Sequence, residues 1–308
     1  MQALLQRRAI LVTGKGGVGK TTVAAALSRA LARTGRRVLA SEVSYEPHAT
    51  SPLARALGIE RTPEEPEPVA ENLSAVLLTP TAGHARFLRD VLPLGMLADA
   101  ALKSAAIRRF LHAAPTLSEI GILYRLLELV RRKRSSGEPE HQTIVVDLPA
   151  TGHALALAQV PGAVVDLLPG GPIAAAAREG LDLLKDTERT TAIVVTLPES
   201  LPVSEAVDLA EGLRRHRVPI GRMVLNRMPD DPFDAEERAH VEALLEGRGP
   251  VLGARALPRI DRARAAVHRL RAEGAPIALV GEFDGADDAQ ITESVSRHLA
   301  TALTGSAP

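Results

Sequence analysis

A glycine-rich stretch at residues 13–22, TGKGGVGKTT, constrains the fold more than any other part of this sequence. It follows the strand-like run AILVTG and leads into the helix-like run TTVAAALSRALARTG. The stretch satisfies the pattern G-x-x-x-x-G-K-[ST], whose backbone N–H groups surround a phosphate. The residues of the loop and of the helix start are Gly14, Lys15, Gly16, Gly17, Val18, Gly19, Lys20, Thr21 and Thr22. A strand, this loop and a helix in succession predict an α/β fold with a mononucleotide site.

Further strand-like runs alternate with helical patterns along the chain. They include residues 37–43, 73–79, 142–149, 191–198, 220–227 and 249–257. Because these runs are almost continuously apolar, the strands are expected to be buried on both faces, as in a parallel sheet. The sequence therefore predicts a doubly wound, mostly parallel sheet, with residues 1–308 forming a single domain.

A long segment without strands, residues 81–134, is predicted to form a helical subdomain inserted in this domain. Proline and glycine at positions 93, 95, 115 and 121 are expected to divide it into about three helices. An apolar helical stripe is formed by Ile120, Leu123, Tyr124, Leu127 and Val130. Before this segment, the Pro- and Glu-rich residues 60–72 indicate a solvated loop. At its end, the basic run 131–137 is typical of a helix C-terminus rather than a nucleic-acid site.

The overall charge does not favour binding to nucleic acid or to an anionic membrane, because 37 Lys and Arg residues balance 37 Asp and Glu residues. We expect no nucleic-acid partner, and membrane contact only through a partner protein. The absence of cysteine excludes thiolate metal sites and disulfides, and it favours a cytoplasmic location. Because a strand-like run begins only a few residues in, we expect no signal peptide, and we expect no membrane span because no apolar run is long enough.

The loop chemistry predicts ATP or a similar nucleotide together with Mg²⁺. Lys20 is expected to reach the β- and γ-phosphates, and the Thr21 hydroxyl to bind Mg²⁺. Ligands of such sheets bind at the carboxyl ends of the strands, so Asp147, which ends the run TIVVD, is the expected partner of the metal site. Just beyond it, Gly152 offers a backbone N–H to a γ-phosphate. The adjacent His153 is as compatible with a structural role as with a functional one.

Three separated blocks resemble one family of ATPases. The loop GKGGVGKTT is similar to the deviant phosphate loop of the MinD, ParA and ArsA class. The block DLPATGHALALAQVP resembles the switch II segment of the ArsA branch, and residues 194–228 resemble the strand, helix and strand that follow it there. The chain is thus similar to ArsA-type ATPases, which include arsenical pump and tail-anchored-protein targeting ATPases, but it carries one such half and no cysteine.

The resemblance implies roles for particular residues. Lys15 would reach the phosphates bound to the opposite subunit, which is either a second copy or a paralogue. Asp147 would hold the metal-bound water, and Asn226, followed by Arg227, would contact adenine. The segment ALPRI, with Leu257 and Pro258, is similar to the family's late loop that brackets the base.

The sequence departs from the family where an Asp of switch I orients the attacking water. Aligned from the strand, this position falls on Ser44, and aligned from the following Pro-His pair it falls on Glu46. Glu42, at the strand end, is a third candidate. Serine does not activate a water as a carboxylate does, so Glu46 and Glu42 join Lys15 and Lys20 as candidate catalytic residues.

Several features of the relatives are missing. Without cysteine, the chain cannot bind arsenite through thiolates. With four methionines and a short segment after switch II, it offers little of a soft groove for a transmembrane client. The favoured hypothesis is a dimeric ATPase that couples nucleotide state to binding of an unidentified protein client. The alternatives are a nucleotide-gated binding module with little hydrolysis, a ParA- or MinD-like positioning ATPase, and, less favoured, a small-molecule kinase.

Overall fold

The structure is a computed structural model, and it describes residues 2–45, 51–91, 115–168, 170–246, 255–274 and 276–304. Its centre is an eight-stranded sheet with the strand order β3-β4-β2-β5-β1-β6-β7-β8. The strands are β1 (Ala9–Gly14), β2 (Val38–Val43), β3 (Glu67–Ala70), β4 (Leu73–Leu78), β5 (Thr143–Asp147), β6 (Thr190–Thr196), β7 (Ile220–Met228) and β8 (Ile277–Gly281). Every neighbouring pair is parallel except β3 and β4, which are antiparallel.

Helices cover both faces of this sheet. They are α1 (Gln2–Leu5), α2 (Lys20–Ala32), α3 (Pro52–Leu57), α4 (Pro80–Val91), α5 (Pro115–Arg131), α6 (Thr151–Leu167), α7 (Pro172–Lys185), α8 (Ser200–Arg215), α9 (Ala235–Leu245), α10 (Ala256–Arg271) and α11 (Asp288–Thr304). Ile10 and Val12 pack into one apolar cluster with α2, α3 and α11. Leu11 packs into a second cluster with α5, α6, α7, α8 and α10. This alternation along β1 is the period of two expected for a strand buried on both faces.

The predicted doubly wound, mostly parallel sheet is confirmed, and β1, β2, β4, β5, β6 and β7 coincide with predicted strand-like runs. Two local predictions were wrong. The expected loop at 60–72 contains β3, which pairs with β4 at the edge of the sheet. The expected strand at 249–257 ends inside α10, while residues 249–254 lie outside the described residues. The last strand, β8, was not predicted, although its sequence IALVG is a short apolar run.

The segment predicted to be helical begins with α4 and ends with α5, and residues 92–114 lie outside the described part of the chain. The five residues of the predicted apolar stripe on α5 are all buried. Gly121 does not end a helix, as was expected, but lies within α5 against Gly83 of α4. A Cβ added at Gly83 would lie 1.8 Å from the carbonyl oxygen of Gly121, so the two backbones touch.

None of the helices in the described ranges is both long enough and apolar enough to cross a bilayer.

Candidate functional site

The carboxyl ends of β1, β2 and β5 meet at one edge of the sheet. In the parallel register, Asp147 lies opposite Val12 on one side and opposite Glu42 on the other. The loop after β1 therefore starts beside Asp147 and turns into α2 at Lys20. Such an edge is the usual ligand position in an open parallel sheet.

Gly19 makes the turn from the loop into α2. Its φ angle is +87°, and no side chain caps the helix start, so the first N–H groups of α2 face the loop unpaired by a cap. A Cβ at this position would lie 2.4 Å from Nδ2 of Asn226, so glycine is required by space as well as by conformation. Free N–H groups and the positive end of a helix dipole form an anion site.

Lys20 and Thr21 point from the first turn of α2 into this site. The Lys20 ammonium donates to the carbonyl oxygen of Lys15, 2.8 Å away, and so curls over the loop. Burial lowers the pKa of Lys20, while the neighbouring Asp147 carboxylate raises it. Thr21 donates its hydroxyl hydrogen to Oδ2 of Asp147 over 2.6 Å.

Asp147 carries the features expected of a carboxylate beside a metal ion. The pKa of Asp147 is raised to about 7, mainly by burial and also by the neighbouring Glu42. The Thr21 hydroxyl and the Lys20 ammonium act in the opposite direction and lower it. Its second oxygen, Oδ1, is buried and has no hydrogen-bond partner. A buried carboxylate with an unused oxygen beside a threonine hydroxyl fits Mg²⁺, which prefers oxygen ligands and keeps several waters. Among the described residues no group of three or more His, Asp or Glu side chains forms a metal cage, so phosphates and waters would complete the shell.

The candidates for the water-orienting carboxylate differ in position. Glu42 is buried, and its Oε2 accepts hydrogen bonds from the hydroxyls of Ser51 and Thr62, the latter over 3.2 Å. Burial raises its pKa, although both hydroxyls lower it. Ser44 follows β2 and donates its backbone N–H to Leu78. Glu46 lies outside the described residues.

Lys15 forms an ion pair within its own chain. Its ammonium contacts Oε1 of Glu205, on α8, and the two side chains are 48% and 24% exposed. The surplus lysine of the loop therefore has a carboxylate partner before any neighbour is present. Gly16 and Gly17 beside it are exposed, whereas Val18 is buried.

Asn226 lies at the other side of the loop. It is 4% exposed, and its Nδ2 donates to the carbonyl oxygen of Val18 over 2.9 Å, so part of its amide is used to hold the loop. A cavity of about 230 Å³ adjoins it, and its lining includes Thr22, Arg227 and Phe283. Leu257 is buried at the start of α10, with Pro258 exposed next to it, and the cavity is lined from β7, β8, α2 and α11 rather than by these two.

At the start of α6, Gly152 and His153 are exposed. The His153 ring stacks on Tyr45 with centroids 4.3 Å apart, and its Nδ1 lies 3.3 Å from Oε1 of Glu119 on α5. The Tyr45 hydroxyl donates to the same oxygen over 3.2 Å. Site residues that sequence reasoning missed are Tyr45, Glu119 and Glu205. A Glu on a helical stripe and a Tyr after a strand carry no local signal for such contacts.

Comparison with known proteins gives the family of this site. The sequence model described as anion-transporting ATPase, ArsA_ATPase, matches residues 7–169, which carry β1, the glycine loop, Asp147 and His153. ATPase BagA of Mycobacterium tuberculosis is 33% identical over 222 residues, covering 70% of this chain and 64% of the relative. An arsenical pump-driving ATPase of Escherichia coli is 29% identical over 266 residues, covering 82% of this chain and 38% of the relative.

A third relative, ATPase GET3B of Arabidopsis thaliana, is 27% identical over 277 residues, covering 72% of this chain and 64% of the relative. The chain thus spans less than two thirds of the length of these curated relatives. The family match nevertheless covers more than half of the chain, and it includes the strand, loop and helix from which the nucleotide site was predicted. The chain belongs to the ArsA family of ATPases.

Proposed function

We propose that this protein binds ATP with Mg²⁺, hydrolyses it in a dimer, and couples its nucleotide state to binding of a protein partner. The observation that carries the proposal is the arrangement of Lys20, Thr21 and Asp147 at the end of β1 and β5. An ammonium, a hydroxyl and a carboxylate with one unused oxygen stand where the phosphates and Mg²⁺ of a phosphate-loop ATPase are held.

The residues of the chain supply binding and orientation. The loop N–H groups and the start of α2 hold the β-phosphate, and Lys20 leaves the Lys15 carbonyl to contact the phosphate oxygens. Thr21 and Asp147 hold Mg²⁺, which would neutralise phosphate charge. Gly152, exposed at the start of α6, offers its N–H to the γ-phosphate. The cavity beside Asn226 and Arg227 takes the base, and Phe283 gives it an aromatic wall. Leu257 and Pro258 bracket the base only after a shift of α10.

Lys15 carries the proposal of a dimer. The nucleotide site of the same chain already has Lys20 for the phosphates. Lys15 is exposed and forms an ion pair with Glu205. Released from Glu205, it would place a second positive charge against the phosphates of a neighbouring copy or paralogue, where charge develops during phosphoryl transfer. Hydrolysis would then depend on assembly.

The partner proposal rests on the family and on the helical segment. The relatives include ATPases named for arsenical pumps and GET3-type ATPases. In this chain, residues 1–308 would act as one ATPase domain, and the helical subdomain at about 81–134 would respond to the nucleotide. With no cysteine, its client is a protein rather than a thiolate-bound metalloid.

The test of nucleotide binding is calorimetric titration of wild type, Lys20→Ala and the control Lys133→Ala with a non-hydrolysable ATP analogue and Mg²⁺. Loss of binding in Lys20→Ala alone is expected, because Lys133 is exposed and lines a different cavity, with Arg8 and Pro139. Equal binding in all three proteins would remove the assignment of the loop.

The test of the shared site is the dependence of phosphate release on protein concentration. A second-order rise that disappears in Lys15→Ala is expected. A strictly linear rise that Lys15→Ala leaves unchanged would contradict the dimeric site.

A second candidate function is a nucleotide-gated binding module with little hydrolysis. It is favoured by Glu42, whose Oε2 is engaged by two hydroxyls, and by Ser44, on which the family's Asp position falls when the sequence is aligned from the strand. Single-turnover hydrolysis in wild type and Ser44→Asp separates the two functions. Fast turnover in wild type supports the ATPase, whereas slow turnover with a large gain in Ser44→Asp supports the binding module.

A further inference from the structure

A single carboxylate oxygen joins three parts of the molecule. Oε1 of Glu119, on α5, accepts the Tyr45 hydroxyl over 3.2 Å and lies 3.3 Å from Nδ1 of His153. Tyr45 follows β2, and His153 lies in the first turn of α6. The stacking of the Tyr45 and His153 rings closes the triangle.

The burial of the three groups is unequal. The Glu119 residue is 5% exposed, Tyr45 is half-buried, and 49% of the His153 side chain is exposed. Burial and the neighbouring carboxylate raise the pKa of Tyr45, so its hydroxyl remains a donor to Glu119. Glu119 is thus the fixed member of the triangle, and His153 is the member with room to move.

The contact differs from the other ion pairs of α5. Glu128, on the same helix, pairs with Arg125 and Arg132, which lie on α5 and directly after it. A buried carboxylate needs partners, because an uncompensated charge is costly to bury. Glu119 takes its partners from the two segments beside the nucleotide site, so any shift of those segments changes what solvates it.

We propose that Glu119 is a positioning residue that ties the end of β2 and the start of α6 to α5, and that triphosphate binding breaks the tie at His153. The proposal rests on the proposed ATP site. Gly152 would be drawn to the γ-phosphate, and its neighbour His153 would leave Glu119. Triphosphate binding therefore includes the free-energy cost of breaking the contact between Glu119 and His153, whereas diphosphate binding does not. The helical segment that begins and ends with α4 and α5 would sense the γ-phosphate through this loss.

The affinities for an ATP analogue and for ADP test the proposal by calorimetry. Removing the contact in Glu119→Ala is expected to raise the preference for the analogue over ADP by about fivefold or more, the low end of ordinary coupling between sites. Glu119→Gln retains an acceptor for Tyr45 and is expected to give a smaller change. The matched control, Glu128→Gln, is expected to leave the preference unchanged. His153→Ala should raise the preference as Glu119→Ala does, and the double variant should add nothing.

A second readout uses the two tyrosines, since the chain has no tryptophan. In Tyr124→Phe, Tyr45 is the remaining fluorophore, and its hydrogen bond to a carboxylate and its stacking on His153 quench it. Emission is expected to rise when the analogue binds and to be high already in Glu119→Ala/Tyr124→Phe. The doubly substituted Tyr45→Phe/Tyr124→Phe gives the baseline.

The outcomes distinguish failure of the proposed ATP site from failure of the proposed Glu119 contact. If the parent protein binds neither nucleotide, the proposed function fails and takes this inference with it. The proposed contact at Glu119 is refuted, and the ATP site is retained, in either of two cases. One is that folded Glu119→Ala has the same preference for the ATP analogue over ADP as wild type. The other is that Tyr45 emission does not change when the analogue binds.

Discussion

Lys15 and Glu205 form an ion pair inside one chain, although they are 190 residues apart in sequence. Lys15 lies in the glycine loop, and Glu205 lies on α8, which follows β6 beside that loop. The proposed transfer of Lys15 to a neighbour's phosphates must first break this pair. In the proposed dimer, Glu205 would therefore oppose assembly, and the free energy of the Lys15–Glu205 ion pair would set how much assembly costs.

The first prediction concerns this ion pair. In Glu205→Gln, dimerisation with an ATP analogue should become tighter by about 2- to 30-fold, because each of the two copies releases a partly exposed pair that contributes roughly 0.2–1 kcal/mol. Sedimentation velocity over a concentration series measures the change. Glu211→Gln, an exposed position of the same helix, is the charge-matched control, and Lys15→Ala should lose dimerisation. Weaker dimerisation of Glu205→Gln would mean that Glu205 supports the dimer interface.

The parts of the fold that could be predicted are those with a local cause. Gly19 and Lys20 identify the loop in the sequence because the glycine pattern lies directly before the residue at which α2 begins. The position of Asp147 at the edge of the sheet could be predicted because an apolar run, TIVVD, ends on it. The partners of Lys15 and Tyr45 could not be found in this way, since Glu205 and Glu119 are brought to them only by the packing of distant helices. The edge strand β8 was missed because its apolar run, IALVG, is only five residues long, and so short a run does not distinguish a strand from a buried piece of helix.

A second prediction concerns the contact between α4 and α5. Gly83→Ala should lower the free energy of unfolding by about 3 kcal/mol, the upper end for overpacking, because its Cβ would meet a backbone oxygen that cannot rotate away. Gly162 on α6 is the matched control, since nothing lies within 4 Å of an added Cβ there. Gly162→Ala should be neutral or stabilising by about 0.5–1 kcal/mol. Urea unfolding measures both, and equal midpoints for the two variants would contradict the close helix crossing.

A third prediction separates the two uses of Asn226. Its Nδ2 holds the Val18 carbonyl in the nucleotide-free chain. Asn226→Ala leaves that carbonyl without its donor, at a cost of about 1–3 kcal/mol. We expect lower stability without nucleotide and weaker binding of both ATP and GTP analogues. If Asn226 also contacts the base, the ATP analogue should lose more affinity than the GTP analogue. Equal losses measured by calorimetry would assign Asn226 to the loop alone.

The last prediction uses the acid dependence of stability. Partial burial would raise the pKa of Glu65, but hydrogen bonds from Arg132, Arg86 and Arg125 outweigh burial and lower it to about 2. A depressed pKa means that the folded chain keeps the charge when the unfolded chain has taken up a proton. The contribution of Glu65 is therefore complete above the unfolded pKa of about 4.3 and disappears as the pH falls towards 2.

Glu65→Gln should accordingly unfold at lower urea concentration than wild type at pH 7, and the difference should shrink between pH 4.5 and pH 2. Glu60→Gln, an exposed neighbour in the same loop, is the control and should follow wild type at every pH. The reason for the difference is Arg125, which is fully buried and would lose one of its carboxylate partners in Glu65→Gln. A constant gap between wild type and Glu65→Gln across this range would show that Glu65 acts through packing and not through its charge.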